Sequence, residues 1–469
     1  MLSGREKRLC QICWLLLLAG VGIVANFLSG GTIALISILC VAVSRSLVQK
    51  AYHLFVFRRV TICSFWYVTY LFMIYLPAFW VYAGERGPYR GRYLFSVESV
   101  LITVPFGWLL TNQVANFQKL ETELFFRKPL AKLNIAGPFR GRYMTLLVIA
   151  VFFTILYFHD VGTIPLFYLF RHPGDYLVLA NLRDDSLKLL DSPFKYFYFV
   201  TRGLVYPFLI LVSLGCLLLT RAVRWKWFFG VTLCLGLLFA SLSLAKSPVA
   251  AIFAMIGFFL YYYRGGDISR RLVAGLLVCV LVFPVAVVLS VSYGMNVDLV
   301  DALRAIGARL FYLPSEIVYF YFEVFPSHVG FLYGRSIHAL SFLLGREYFD
   351  TASFVGQYGF LGKLESVIAN GAFISDLNAD FGLWGVLWGG VLVGCIMQAF
   401  HVYVIRREKN VLTIACYSFL VFTFWLLNST SLPIVLASNG AILVLFLKNW
   451  LEIKRPHVQR GSIARPLPS

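Results

Sequence analysis

A handful of charged and titratable side chains stand out by type and setting. Lys246, in SLSLAKSPVAA, is a lone cation between two apolar runs. Arg304 and Arg309 sit on an amphipathic stretch ending at Pro314, and Glu316 and Glu323 follow one helical face apart in PSEIVYFYFE. His328 comes next, then Arg335 in GFLYGRSIHAL, and finally Asp376, Asn378 and Asp380 in ISDLNADFGLWGVLWGG. Scattered arginines are normally solvated or paired with carboxylates, and a lysine at an apolar boundary can snorkel to water. Several cations aimed at one apolar cavity are different. They make a pyrophosphate site, because guanidinium matches phosphate oxygens in charge and geometry.

Other chemistries lack their residues. There is no GxxxxGK[ST] loop for ATP, and Gly20, Gly22 and Ala25 imitate a dinucleotide fingerprint with no strand before them. HExxH, paired histidines at helical spacing and Asp-x-Asp are all missing, so neither a metal nor a cofactor is expected. Any reaction must therefore run on a donor that arrives activated. The nine cysteines all fall in apolar runs, and the Cys10/Cys13 pair reads as packing.

The elements that must hold these residues follow from composition. Of 469 residues 60% are hydrophobic, 17% aromatic and 13% charged, where a soluble chain carries roughly 25% charged residues. Mean hydropathy is +0.79. Apolar runs long enough to cross about 30 Å of hydrocarbon as helices lie near 10–29, 31–48, 61–82, 95–115, 143–163, 198–219, 228–245, 248–263, 272–292, 377–404, 411–428 and 433–450. The unbroken run Leu272 to Leu289 is helical and lacks the alternation of a barrel strand. The expected fold is thus all-α, a polytopic membrane protein of about twelve transmembrane helices. The first run, after Arg5, Lys7 and Arg8, reads as a retained helix and not as a cleaved signal.

The net charge of +19 would suggest nucleic acid if it were spread evenly. With the N-terminus cytoplasmic, however, 27 of the 41 basic residues and only six of the 22 acidic ones fall on the cytoplasmic side, a net of about +21. The other side carries about −2. This bias places both termini in the cytoplasm and accounts for the basic pI without a nucleic-acid partner.

Three regions follow: residues 1–292 with nine spans and an outer loop near 164–197, a large outer loop over 293–376, and residues 377–469 with three spans and a basic tail. The large loop is rich in Phe and Tyr, which suits short interfacial helices that also wall a cavity and cover an active site.

This layout resembles the Wzy-type O-antigen polymerases. The resemblance rests on about twelve spans, a modest outer loop before the sixth, a very long one before the tenth, a basic residue after a Ser-rich seventh span, YGRSI, and the closing NADFGLWGVLWGG. It implies a metal-independent glycosyltransferase in a bacterial inner membrane, facing the periplasm and needing no cofactor. Such an enzyme polymerises undecaprenyl-pyrophosphate-linked repeat units, donor and acceptor both lipid-linked, in the biosynthesis of lipopolysaccharide or another surface polysaccharide. A chain-length regulator is an implied partner beside the bilayer. Carried over residue by residue, Lys246 and Arg309 would bind pyrophosphate, as would Arg202 in FYFVTRGLVYPF and Arg335. Glu316, Glu323, His328 and Asp376 are the alternative bases for the acceptor hydroxyl. The related ligases carry a His where this chain has Asp376 and Asn378, which favours polymerase. A lipid-linked oligosaccharide flippase and a cell-wall polymerase are competing readings. A flippase needs charge spread through a central cavity, whereas the spans here are nearly free of it.

Overall fold

The computed structural model describes residues 4–51, 59–131, 133, 135, 137–172, 175–186, 192–244, 246–267, 300–301, 304, 307–359 and 368–452. Side chains of residues 4–10, Tyr176, Leu177, Ala180, Arg183, Asp184 and Lys246 are outside that description. The ninth expected span, 272–292, lies outside it too, as do Arg58, Lys132, Arg270, Arg271 and the basic C-terminal tail.

The described chain folds entirely into helices and connections, with no strand among the described residues. In order these are α1 Gly4–Ser29, α2 Gly31–Lys50, α3 Ile62–Gly84, α4 Arg90–Val114, α5 Lys119–Arg127 and α6 Gly137–Asp160. After α7 Pro165–Arg171 and α8 Tyr176–Asp185 come α9 Lys195–Thr220, α10 Val223–Ser241 and α11 Lys246–Tyr263. The remainder are α12 Leu313–Val324, α13 His338–Leu343, α14 Thr351–Gly359, α15 Phe373–Ile405, α16 Val411–Asn428, α17 Leu432–Leu436 and α18 Ala441–Leu451. Among the described residues ten helical spans are long and apolar enough to cross a membrane, and α11 adds a shorter apolar helix. The chain is an all-helical, multi-pass membrane protein.

Local sequence sets the helix ends. Thr61 and Ser64 form a reciprocal cap at α3, with Thr61 Oγ1 accepting from the Ser64 amide at 3.1 Å, and Asn410 Oδ1 accepts from the Thr413 amide at 2.9 Å ahead of α16. Gly30, at φ 93°, makes the tight link between α1 and α2. Three helical runs contain a π-turn, at Leu71–Tyr75, Thr201–Val205 and Ala308–Tyr312. Each is followed two residues on by a proline, Pro77, Pro207 or Pro314. Proline has no N–H for the ordinary ladder and its ring crowds the carbonyl four residues back, and the widened turn relieves both faults.

The core is built where small residues let helices touch. α4 and α15 cross at Gly107 and Gly394. A Cβ on Gly107 would lie 2.2 Å from the Val391 carbonyl oxygen, and one on Gly394 would lie 2.1 Å from that of Val104. Near this crossing Gln398 Nε2 donates to Asn112 Oδ1 at 2.5 Å, and Asn112 Nδ2 donates to the Ala51 carbonyl at 3.1 Å, which satisfies buried amides. α16 is buried along almost its whole length at the bundle centre, and α1 and α2 lie at the periphery.

The two ends of the bundle differ. One gathers Arg59, Lys128, Arg142, Arg406, Arg407 and Lys409, with Lys409 Nζ donating to the carbonyls of Phe126 and Lys128 at 3.0 and 3.1 Å. The opposite end carries the connections that hold the candidate residues. There α12, from the aromatic loop, is a buried helix: Ser315 Oγ donates to the Ile74 carbonyl at 2.8 Å and lies 2.6 Å from Tyr93 Oη, wedging α12 between α3 and α4.

Candidate functional site

The sequence-expected residues fall into three groups at this end. In the first, the run through α12 carries Arg309, Glu316 and Glu323, and His328 follows just beyond it. Arg309 stands exposed on the π-turn, with no hydrogen bond or ion pair among the described residues. Tyr312, Glu316, Tyr319 and Glu323 form a seam at helical spacing, and the charge of Glu85, on the α3–α4 connection, acts on Tyr312, Tyr319 and Glu323. α14 completes the group with Tyr358, whose hydroxyl lies 3.0 Å from His328 Nε2 and next to the Glu323 carboxylate. The His328 and Tyr358 rings are 4.9 Å apart.

Electrostatics single out Glu323 here. It is half-buried, and burial first, then the Glu85 charge, push its pKa above the usual carboxylate value, while His328 and Tyr358 oppose the rise. A carboxylate held high is a better proton acceptor, and a Tyr–His pair beside it can pass that proton on. The hydroxyl of Tyr319 is buried with no partner among the described residues and abuts Gly87, where an added Cβ would come within 2.6 Å of it. It offers an unused donor and acceptor in the same place.

The second group surrounds Arg202. This residue lies on the π-turn of α9, reaches Ser243 Oγ with Nη1 at 2.9 Å, and packs over the Phe199 ring at 5.5 Å. Ser243 sits three residues before Lys246, the first residue of α11. The α10–α11 corner thus brings the backbone of Lys246 and the side chain of Arg202 to one place, and the Lys246 side chain lies outside the described residues. On the same side of the bundle, Asp160 is taken up by Ser192 Oγ and Tyr198 Oη, both at 2.5 Å. Arg202 and Arg309 share a local device, each on a π-turn five residues ahead of a proline. Contacts of Arg202 among the described residues do not reach Arg309.

The third group joins Arg335 and Asp376 through the segment between them. Asp380 accepts from the Gly334 amide at 2.9 Å, the Ser336 amide at 3.3 Å and Ser336 Oγ at 2.5 Å. The Leu332 and Tyr333 amides donate to the Ala379 and Asp380 carbonyls, both at 3.0 Å. YGRSI and NADFG therefore form one knot. Gly382, at φ 64°, bends α15 there. Arg335 donates from Nε to the Glu347 carbonyl at 3.1 Å and lies over Phe349. Asp376 is tied to Thr351 Oγ1 at 2.8 Å. Arg92, which the sequence reading passed over, donates to Asn378 Oδ1 at 2.9 Å and packs on Phe331 at 5.5 Å. Its only signal was a position at the start of a span.

No family model, curated protein or solved structure matches this chain. The described residues contain no group of three or more His, Cys, Asp or Glu that could hold a metal.

Proposed function

We propose that this protein is a metal-independent glycosyltransferase of the Wzy polymerase type. In this reading the basic end faces the cytoplasm, about twelve spans cross a bacterial inner membrane, and the opposite end works in the periplasm. It joins oligosaccharide repeat units carried on undecaprenyl pyrophosphate into a surface polysaccharide. The observation that supports the reading is the gathering of Glu323, Tyr358 and His328 at the end opposite the basic loops, on the helical run that also carries the exposed Arg309.

The chemistry is a displacement at the anomeric carbon of the donor glycan. The acceptor hydroxyl oxygen forms the new bond, the bond to pyrophosphate breaks, and lipid pyrophosphate leaves with the electron pair. Glu323 takes the acceptor proton, with His328 and Tyr358 orienting it. Arg309, Arg202 and Lys246 offset the charge that develops on pyrophosphate. Asp376 and Asp380, occupied by Thr351 and by the YGRSI segment, hold the outer end of α15 in place.

Cells that depend on this chain for polymer should show a ladder of glycan lengths. Glu323→Gln should collapse that ladder to single repeats on lipid, and a ladder of normal length in this variant would remove Glu323 from the mechanism. One observation favours the flippase reading: Glu98 is buried within α4 and accepts from Ser37 of α2, and ionisable groups at membrane depth mark function by default. A flippase lesion would leave lipid-linked repeats on the cytoplasmic side.

A further inference from the structure

At the basic end, beyond the α4–α15 crossing, the two helices part to leave a side-opening cleft of about 470 Å³. Thr111 and Ala115 of α4 and Ala399, Val402 and Tyr403 of α15 form its largely apolar walls. Arg406 and Arg407, just past the end of α15, close one end. This volume falls within the range of small-molecule sites.

The two arginines are in different states. Arg406 is neutralised by Glu121, with Nε–Oε2 at 2.7 Å and Nη2–Oε1 at 3.1 Å, and its Nη2 also donates to the Ala115 carbonyl at 2.8 Å. Arg407 lies over the Tyr403 ring at 4.6 Å and has no carboxylate within ion-pair distance among the described residues. Glu452, the acid within its electrostatic reach, is already held by Lys448 Nζ at 2.6 Å and Asn410 Nδ2 at 3.1 Å. An exposed, uncompensated guanidinium therefore stands over an apolar slot.

The surroundings indicate what fills the slot. Val114, at the end of α4, is 87% exposed, and Leu120 and Leu124 of the amphipathic helix α5 are 61% and 41% exposed. These side chains extend the apolar wall sideways at the level of the basic loops, where lipid meets water. We propose that an anionic phospholipid of this leaflet occupies the cleft. An acyl chain lies against Ala115, Ala399 and Val402, and the headgroup phosphate engages Arg407. Basic pockets between spans on the positive side select anionic headgroups in this way. A zwitterionic lipid would bring an ammonium group toward the same two arginines.

The test is native mass spectrometry of the full-length, delipidated protein titrated with phosphatidylglycerol and phosphatidylcholine of matched chains. We expect phosphatidylglycerol to be retained in preference. Arg407→Gln should lower its retention roughly fivefold, as the loss of about one favourable surface charge implies, and leave phosphatidylcholine unchanged. Arg407→Lys should keep the preference. Ala399→Phe, which fills the slot, should lower retention of both lipids, and inorganic phosphate should displace neither. Equal retention of the two lipids by the native protein, an unaltered preference in Arg407→Gln, or displacement by free phosphate would each overturn the proposal.

Discussion

Asp380→Ala should release the YGRSI segment from α15. The carboxylate accepts three hydrogen bonds, from the Gly334 amide, the Ser336 amide and Ser336 Oγ, and is 1% exposed. Gly334 is buried, so its N–H would be left without a partner at roughly 1–3 kcal/mol. Ser336 is half-buried and can turn to water, so its two bonds count at roughly 0.5–1.5 kcal/mol each. The total is about 2–6 kcal/mol of local stability. Native-state proteolysis reads this directly, because cleavage within residues 333–349 follows the population of the opened segment. The rate should rise by about one and a half to four orders of magnitude. Ser336→Ala alone should cost about 1 kcal/mol, and adding it to Asp380→Ala should cost almost nothing more, because the two side chains share one interaction. Additive effects, or a cleavage rate that Asp380→Ala leaves unchanged, would refute the knot.

Arg309→Ala should leave the thermal midpoint unchanged, since an exposed side chain without partners contributes within about 0.5 kcal/mol, yet shorten the glycan ladder to single repeats; long chains would exclude Arg309. Glu323 should make stability depend on pH. The folded state binds its proton more tightly than the unfolded state, so stability falls as pH climbs from the ordinary carboxylate value to the raised one and stays lower above it. Glu323→Gln should flatten that slope and raise the thermal midpoint at neutral pH, and a slope that steepens would contradict the burial of this group. Gly394→Ala should destabilise the protein by about 1–3 kcal/mol through the clash with Val104, read as a lowered midpoint in detergent, and a neutral result would mean that the α4–α15 contact can relax.

Much of the scaffold was legible because lipid imposes length and apolarity on each span. Ten of the expected spans are found as long apolar helices and α11 as a shorter one. The aromatic loop was harder. Its composition suggested short interfacial helices that also wall a cavity, and the way α12 packs between α3 and α4 through Ser315 and Tyr93 emerges only from the structure. The prolines that widen three helical turns were visible, but the fact that two of those turns carry Arg202 and Arg309 emerges only from the backbone. Glu323 and His328 could be picked by type. Tyr358, which links them, is 30 residues from His328 and looks like any other loop aromatic. The same limit hid Arg92, whose partner Asn378 is 286 residues away. Glu98 was missed because a single acid barely lowers the hydropathy of its span.

The most direct measurement of the proposed activity uses the purified full-length protein in lipid, given an undecaprenyl-pyrophosphate-linked repeat unit and a chelator, with no nucleotide sugar. We expect a ladder of lipid-linked products rising by whole repeats, with one undecaprenyl pyrophosphate released per bond formed, and no ladder from Glu323→Gln. Recovery of the repeat unit unextended from the native protein, or its movement across the bilayer without any new glycosidic bond, would contradict the assignment.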